Sequence, residues 1–215
     1  RYVVETHFAH FSSDTIDLAK LLILKCFAGM LSGCTEHIGR KVTRYVREVG
    51  GIAEAGVIGG GFRTSAENAA LALGTFAHAS ELEDDSYPGS ASTVTVVPAV
   101  LPLGEKLRAS GRQVIEAFVL GFEVQGRIAM GFHPRAHNRG IMALNYFGVL
   151  GAATAASKML ELDIQKTRMA LSMAASQAGG LWAQAGSMVH TLESGFASRD
   201  GVVAALLAKE GVTGS

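Results

Sequence analysis

Apolar residues recur along most of this chain at intervals of three and four, the period of a helix with one buried face. Ile16, Ala19, Leu22, Ile23, Phe27 and Met30 mark a helix over Thr15–Ser32, with Asp14 placed to cap its start and Gly33 to end it. Val42, Tyr45, Val46 and Val49 share one face of a second helix, His37–Val49, which Gly50-Gly51 stops. A glycine-rich stretch, Gly51–Thr64, reads as a flexible turn with a short strand. It contains no GxGxxG, and no GK[ST] follows, so a nucleotide loop is disfavoured. The remaining helices are expected over Ser65–Ala79, Val96–Ser110, Gln113–Met130, Phe147–Leu160, Ile164–Ala178 and Gly195–Glu210. Asp163 should cap the helix at Ile164, and Pro98 should fall in the first turn of its helix, where proline is tolerated. His133-Pro134 is expected to open a loop reaching about Asn145, and Trp182–Thr191 a loop or short helix. No period-2 alternation is long enough for a sheet. The pattern predicts an all-α, multi-helix, bundle-like domain over residues 1–215.

One stretch departs from this regularity. Ala66–Pro98 begins as an alanine-rich helix and ends in a loop holding His78, Glu81, Glu83, Asp84, Asp85 and Ser86. Four carboxylates within five residues repel one another, and a solvated acidic loop tolerates that. Here the cluster directly follows an apolar helix and precedes a second apolar run, which fits a polar pocket wall between buried elements.

Composition narrows the classes. The chain has 215 residues, 48% hydrophobic and 18% charged, with zero formal net charge. That argues against disorder and gives no basic excess for nucleic acid or an anionic membrane. Leu18–Leu31, the longest apolar run near the N-terminus, is interrupted by Lys20 and Lys25 and is too short to span a bilayer. Two cysteines, Cys26 and Cys34, make neither a disulfide framework nor a metal pattern, so a reducing, cytoplasmic setting is expected. A metal reading would need His78 with Asp84 and Asp85. No second histidine lies at ligand spacing, so no metal ligand and no cofactor is assigned. The start at Arg1 and the end at Gly214-Ser215 suggest a portion of a longer protein.

Several segments together resemble the MmgE/PrpD family. They are ENAALALGTFAHA at 67–79, EDDS at 83–86, PAVLPLGEKLRASG at 98–111, AFVLGFEVQGRI at 117–128, GFHP at 131–134, GVLGAATAASKMLELD at 148–163, ASQAGGL at 175–181 and GVVAALLAKEGVTG at 201–214. The order is the family's, and the blocks run along essentially the whole chain. The resemblance implies the helical domain of a two-domain enzyme whose smaller α+β domain follows it and is absent from this chain. It also implies a cofactor-independent lyase, 2-methylcitrate dehydratase-like, acting on small di- and tricarboxylates, and a homodimer. Decarboxylation, epimerisation, or loss of activity on the same scaffold are the alternatives. Dehydratase- and decarboxylase-like members follow the aspartate pair with His-Pro-Ser, where this chain has Ala91, Ser92 and Thr93. Their lysine, and the histidine three residues after it, correspond here to His190 and Glu193.

Such reactions need an acid and a base near a carbanion and donors for substrate carboxylates. Asp84, Asp85, His133 and His190 are the expected catalytic residues, and His78, Ser86, Arg127 and Arg139 the expected substrate-binding ones. His78 reads equally well as a core residue, His137 as an exposed one, and Glu81 as lying outside the pocket. Arg135 and Arg199 are further candidate carboxylate binders.

Overall fold

Ala66–Ala79 is buried on nearly every side, an unusual state for so short a helix and one that its small residues make possible. In the chain's structure, a computed structural model, residues 1–86 and 92–215 are described, without the side chains of His133 and Pro134. The elements are α1 (Tyr2–Glu5), α2 (Ser13–Gly33), α3 (His37–Val49), α4 (Ala66–Ala79), α5 (Thr93–Leu107), α6 (Gly111–Asn138), α7 (Ala143–Met159), α8 (Ile164–Gln177) and α9 (Met188–Lys209). Between α3 and α4, β1 (Ala55–Gly56) pairs antiparallel with β2 (Arg63–Thr64), where the glycine-rich stretch was expected to give a flexible turn with one short strand. The fold is all-helical.

Helix α9 packs closely on both α4 and α7, with α2, α3, α5, α6 and α8 around these three. The inner surfaces carry mostly hydrogen and methyl groups. A Cβ on Gly195 of α9 would stand 2.4 Å from the Leu71 carbonyl oxygen of α4, and one on Gly74 would stand 2.8 Å from the Ser194 carbonyl oxygen. Dispersion and burial at this spacing come from backbone meeting backbone, with no large side chain between. Phe76, Phe118, Met30 and Leu103 fill the wider gaps towards the outer helices.

Several boundaries differ from expectation. Ser12, rather than Asp14, caps α2 by accepting from Thr15 N at 3.2 Å. Helix α5 begins at Thr93 and not Val96, so Pro98 falls inside it instead of in its first turn. It ends at Leu107, where Arg108 turns into the left-handed region. Helix α6 continues past Met130 to Asn138, and no loop opens at residues 133–134. A proline removes one backbone donor, which a helix held at both ends by packing survives. Helix α9 starts at Met188, with Ser187 accepting from Val189 N at 3.2 Å. The expected start at Gly195 was misled by glycines that serve helix contact and not termination. Asp163 does cap α8, accepting from Lys166 N at 2.8 Å.

Among the described residues no single helix is long and apolar enough to cross a membrane; α2 and α3 pass on composition only as a pair bent by 87°. Helix α2 nevertheless turns Leu18, Leu21, Leu24 and Leu31 outward, each more than half exposed.

Candidate functional site

The end of α4 and the start of α9 meet at a pair of imidazoles. His78 lies in the last turn of α4 and His190 in the first turn of α9, with ring centroids 4.7 Å apart. His78 is 1% exposed and the His190 side chain 12%. A chain of hydrogen bonds fixes the first ring. Asn145 of α7 donates its amide to Glu193 Oε2 at 3.2 Å, which leaves its Oδ1 to accept from Ser194 Oγ at 2.7 Å. A hydroxyl has one proton to give, so Ser194 Oγ accepts from His78 Nδ1, 2.8 Å away. The His78 ring therefore carries hydrogen on Nδ1 and turns Nε2 towards the carboxylates.

Two of those carboxylates are close. Glu83 Oε1 lies 3.5 Å and Glu81 Oε2 3.7 Å from His78 Nε2, and Glu81 Oε1 lies 3.6 Å from His190 Nε2. Burial pushes the Glu83 carboxyl up, but hydrogen bonding to His78 and the charges of His78 and His190 outweigh it and hold it below its usual range. Glu81 was expected outside the pocket. It stands instead at the first position past the α4 cap, where a φ of 51° swings the chain back and brings its carboxylate to both imidazoles.

These groups open onto a cavity of about 400 Å³ that also touches Asp85, His137, Trp182 and Met142. His137 reaches it because α6 runs beyond Met130, and its ring stacks edge-on against Trp182, centroids 5.0 Å apart. Glu193 also accepts from Leu181 N at 3.1 Å, holding the segment that brings Trp182 over the cavity.

The other expected site residues lie elsewhere. Asp84 turns away from the cavity and gives both carboxylate oxygens to the first residue of α5. Oδ2 accepts from Thr93 N at 3.2 Å, and Oδ1 accepts from Thr93 Oγ1. Arg127 projects from the outer face of α6, paired with Glu123 one turn earlier, and does not line the cavity. Arg139 and Arg135 border a separate apolar groove with Phe132, Tyr146 and Phe147. Arg199 is engaged by Asp200 at 2.7 Å. Ser86 is half-buried at the edge of the described residues and is not among those lining the cavity. The His133 side chain and Ala91 lie outside the described residues.

Ser194 and Asn145 were not anticipated, and Glu83 was named in the acidic cluster but given no role. His190 and Ser194 are four apart and share a face of α9, a signal that a helix begun at Ser187 would have revealed. The metal reading named the wrong partners: His78 meets His190 and Glu81, not Asp84.

Fold and site thus define an all-helical domain with a histidine–carboxylate cluster assembled from both ends of the chain. The chain belongs to the MmgE/PrpD family, whose N-terminal domain matches residues 1–215. It is 32% identical to the cis-aconitate decarboxylase of Mus musculus over 213 residues, 96% of this chain and 43% of that protein. It is 30% identical to the cis-aconitate decarboxylase of Homo sapiens over 213 residues, again 96% of this chain and 44% of that protein. The cis-aconitate decarboxylase of Aspergillus terreus is 32% identical over 209 residues, 93% and 42% of the two chains. The chain spans less than half the length of these curated relatives.

Proposed function

We propose that this domain carries the proton-transfer centre of a lyase acting on a small tricarboxylate, with decarboxylation of a cis-aconitate-type substrate as its reaction. The supporting observation is the buried His78–His190 pair facing Glu81 and Glu83 at a cavity, in a chain whose relatives bear the name cis-aconitate decarboxylase. Loss of CO2 breaks a carbon–carbon bond and leaves its electron pair delocalised towards a neighbouring carboxylate. A positioned acid must then deliver a proton to carbon. His190 stands at the cavity wall with a Glu81 carboxylate oxygen 3.6 Å from its Nε2, which places it to deliver that proton. His78, fixed through Ser194, packs against it and holds its ring in place. Dehydration would use the same groups in another order, a base removing the carbon-bound proton before an acid protonates the departing hydroxyl. The relatives' names favour decarboxylation over the dehydratase first expected.

The test is to incubate the full-length protein with cis-aconitate, citrate and 2-methylcitrate in deuterated water, following CO2 release and products by NMR. Release of CO2 from cis-aconitate with one deuterium in the product is expected, and His190→Gln should lower kcat by roughly 10²–10⁴-fold. An unsaturated acid formed from citrate or 2-methylcitrate without CO2 would establish a dehydratase instead. Deuterium exchange without either product would indicate an epimerase, and no turnover by folded protein would reject the proposal.

The family resemblance also implies a homodimer. We propose that a second copy covers the outward face of α2, where Leu18, Leu21, Leu24 and Leu31 form an exposed apolar stripe.

A further inference from the structure

We infer that His78, His190 and Glu81 form a binding site for a divalent transition-metal ion of the zinc class. One ligand atom from each of these residues lies within 4.8 Å of the other two. Glu81 Oε2 stands 3.7 Å from His78 Nε2, and its other oxygen, Oε1, 3.6 Å from His190 Nε2. Ligands held tetrahedrally at about 2.0–2.2 Å from one ion stand roughly 3.3–3.6 Å apart, so each histidine–carboxylate spacing is already close to that value and binding draws the three residues together from within 4.8 Å. Two imidazoles and a carboxylate are donors suited to zinc, cobalt and nickel, and a three-ligand set leaves a position open towards the cavity.

Three further features point the same way. The hydrogen-bond chain Glu193–Asn145–Ser194 keeps a hydrogen of His78 on Nδ1, which leaves Nε2 as the atom facing the site, where a metal ion would displace its proton. Outer partners of this kind orient metal-binding histidines. Glu83 offers a fourth ligand: its Oε1 is 3.5 Å from the same Nε2, and its Oε2 is buried without a hydrogen-bond partner. The cavity wall is also acidic. Glu81, Glu83 and Asp85 line it, with no lysine or arginine among the described residues that touch it. Such a wall concentrates cations.

The ion would occupy the His190 imidazole to which the lyase reading gives the transferable proton, so bound metal should inhibit turnover; binding itself is read without substrate. Full-length protein is stripped with a chelator and titrated with Zn²⁺ by calorimetry and with Co²⁺ by its visible absorption. One equivalent should bind, with a Co²⁺ spectrum of low-symmetry, four- or five-coordinate form. His190→Gln and Glu81→Gln should each weaken binding more than tenfold, and Ser194→Ala by roughly 10–100-fold through the ring it orients. Circular dichroism establishes that each variant is folded. The exposed His7 and His10, 5.8 Å apart, are the surface alternative, and their double exchange to Gln should leave the affinity unchanged. No binding at one equivalent, equal affinity in the folded His190 and Glu81 variants, or loss of binding with His7 and His10 would each overturn the assignment. Turnover by the chelator-treated protein would leave the lyase reading standing whatever the titration shows.

Discussion

Asp84 and Glu83 are adjacent, yet they do opposite work. Asp84 caps α5 through Thr93, placing a negative charge at a helix N-terminus, where the helix dipole favours it. Asp84→Asn should therefore cost about 0.5–2 kcal/mol of stability, the usual worth of a cap, while activity per folded molecule stays near wild type. Chemical denaturation and kcat measured on the same preparations check this. A loss of kcat without loss of stability would return Asp84 to the chemistry. Glu83 acts through charge. Its carboxyl is held below the ordinary value of 4.5, so it stabilises the fold above that value, and the contribution is lost as pH falls through the lowered one. Glu83→Gln should lower the melting temperature at neutral pH and flatten the fall below pH 4.5; parallel profiles for the two proteins would rule the charge out. Cys26 shows the reverse shift. Burial pushes its thiol up to about 12, so at neutral pH only Cys34 should react promptly with a thiol reagent, and Cys26 only after unfolding.

The helix is the scale at which the site is aligned. His78 and His190 belong to α4 and α9, and those two axes are held together through Gly74 and Gly195. Gly195→Ala inserts a methyl 2.4 Å from both the Leu71 carbonyl oxygen and Thr75 Oγ1, and the backbone cannot rotate out of the way. The helices must separate. A stability loss of about 1–3 kcal/mol is expected, together with weaker coupling of the imidazole pair, seen as an altered pH profile of kcat. Unchanged stability in that variant would mean the two helices slide freely. Helices were legible in the sequence because their apolar period is local. The Asp163 cap and the turn in the glycine-rich stretch were legible because capping and glycine chemistry are local too, while the pairing of two strands across that turn was not. The α9 start and the run of α6 through residues 133–134 were not, since glycine and proline act as breakers only where tertiary packing does not overrule them. Of the site, His78 and His190 could be named from the chain. Their meeting could not, and so Glu81 was set aside and Asp84 preferred.

At the scale of the whole molecule the exposed leucines of α2 are the largest anomaly, with Leu21 at 64% and Leu24 at 67% exposure. A standard interface covers about 800 Å² on each partner, an area a helix of this length and the adjoining α3 can supply. The wild-type protein should sediment as a dimer, and Leu21→Glu with Leu24→Glu should give a folded monomer. A monomeric wild type would refute the second-copy proposal. The tight seam inside the molecule has a genetic counterpart to this permissive exterior. Every single-nucleotide change that alters a glycine codon adds at least a Cβ. At Gly33, Gly39, Gly74, Gly121, Gly148, Gly151, Gly195 and Gly201 that atom would stand 1.9–2.8 Å from a neighbouring helix. Those codons should tolerate synonymous changes only, so a saturation library selected for folded protein should show its deepest depletion at these eight glycines and not at the large apolar residues.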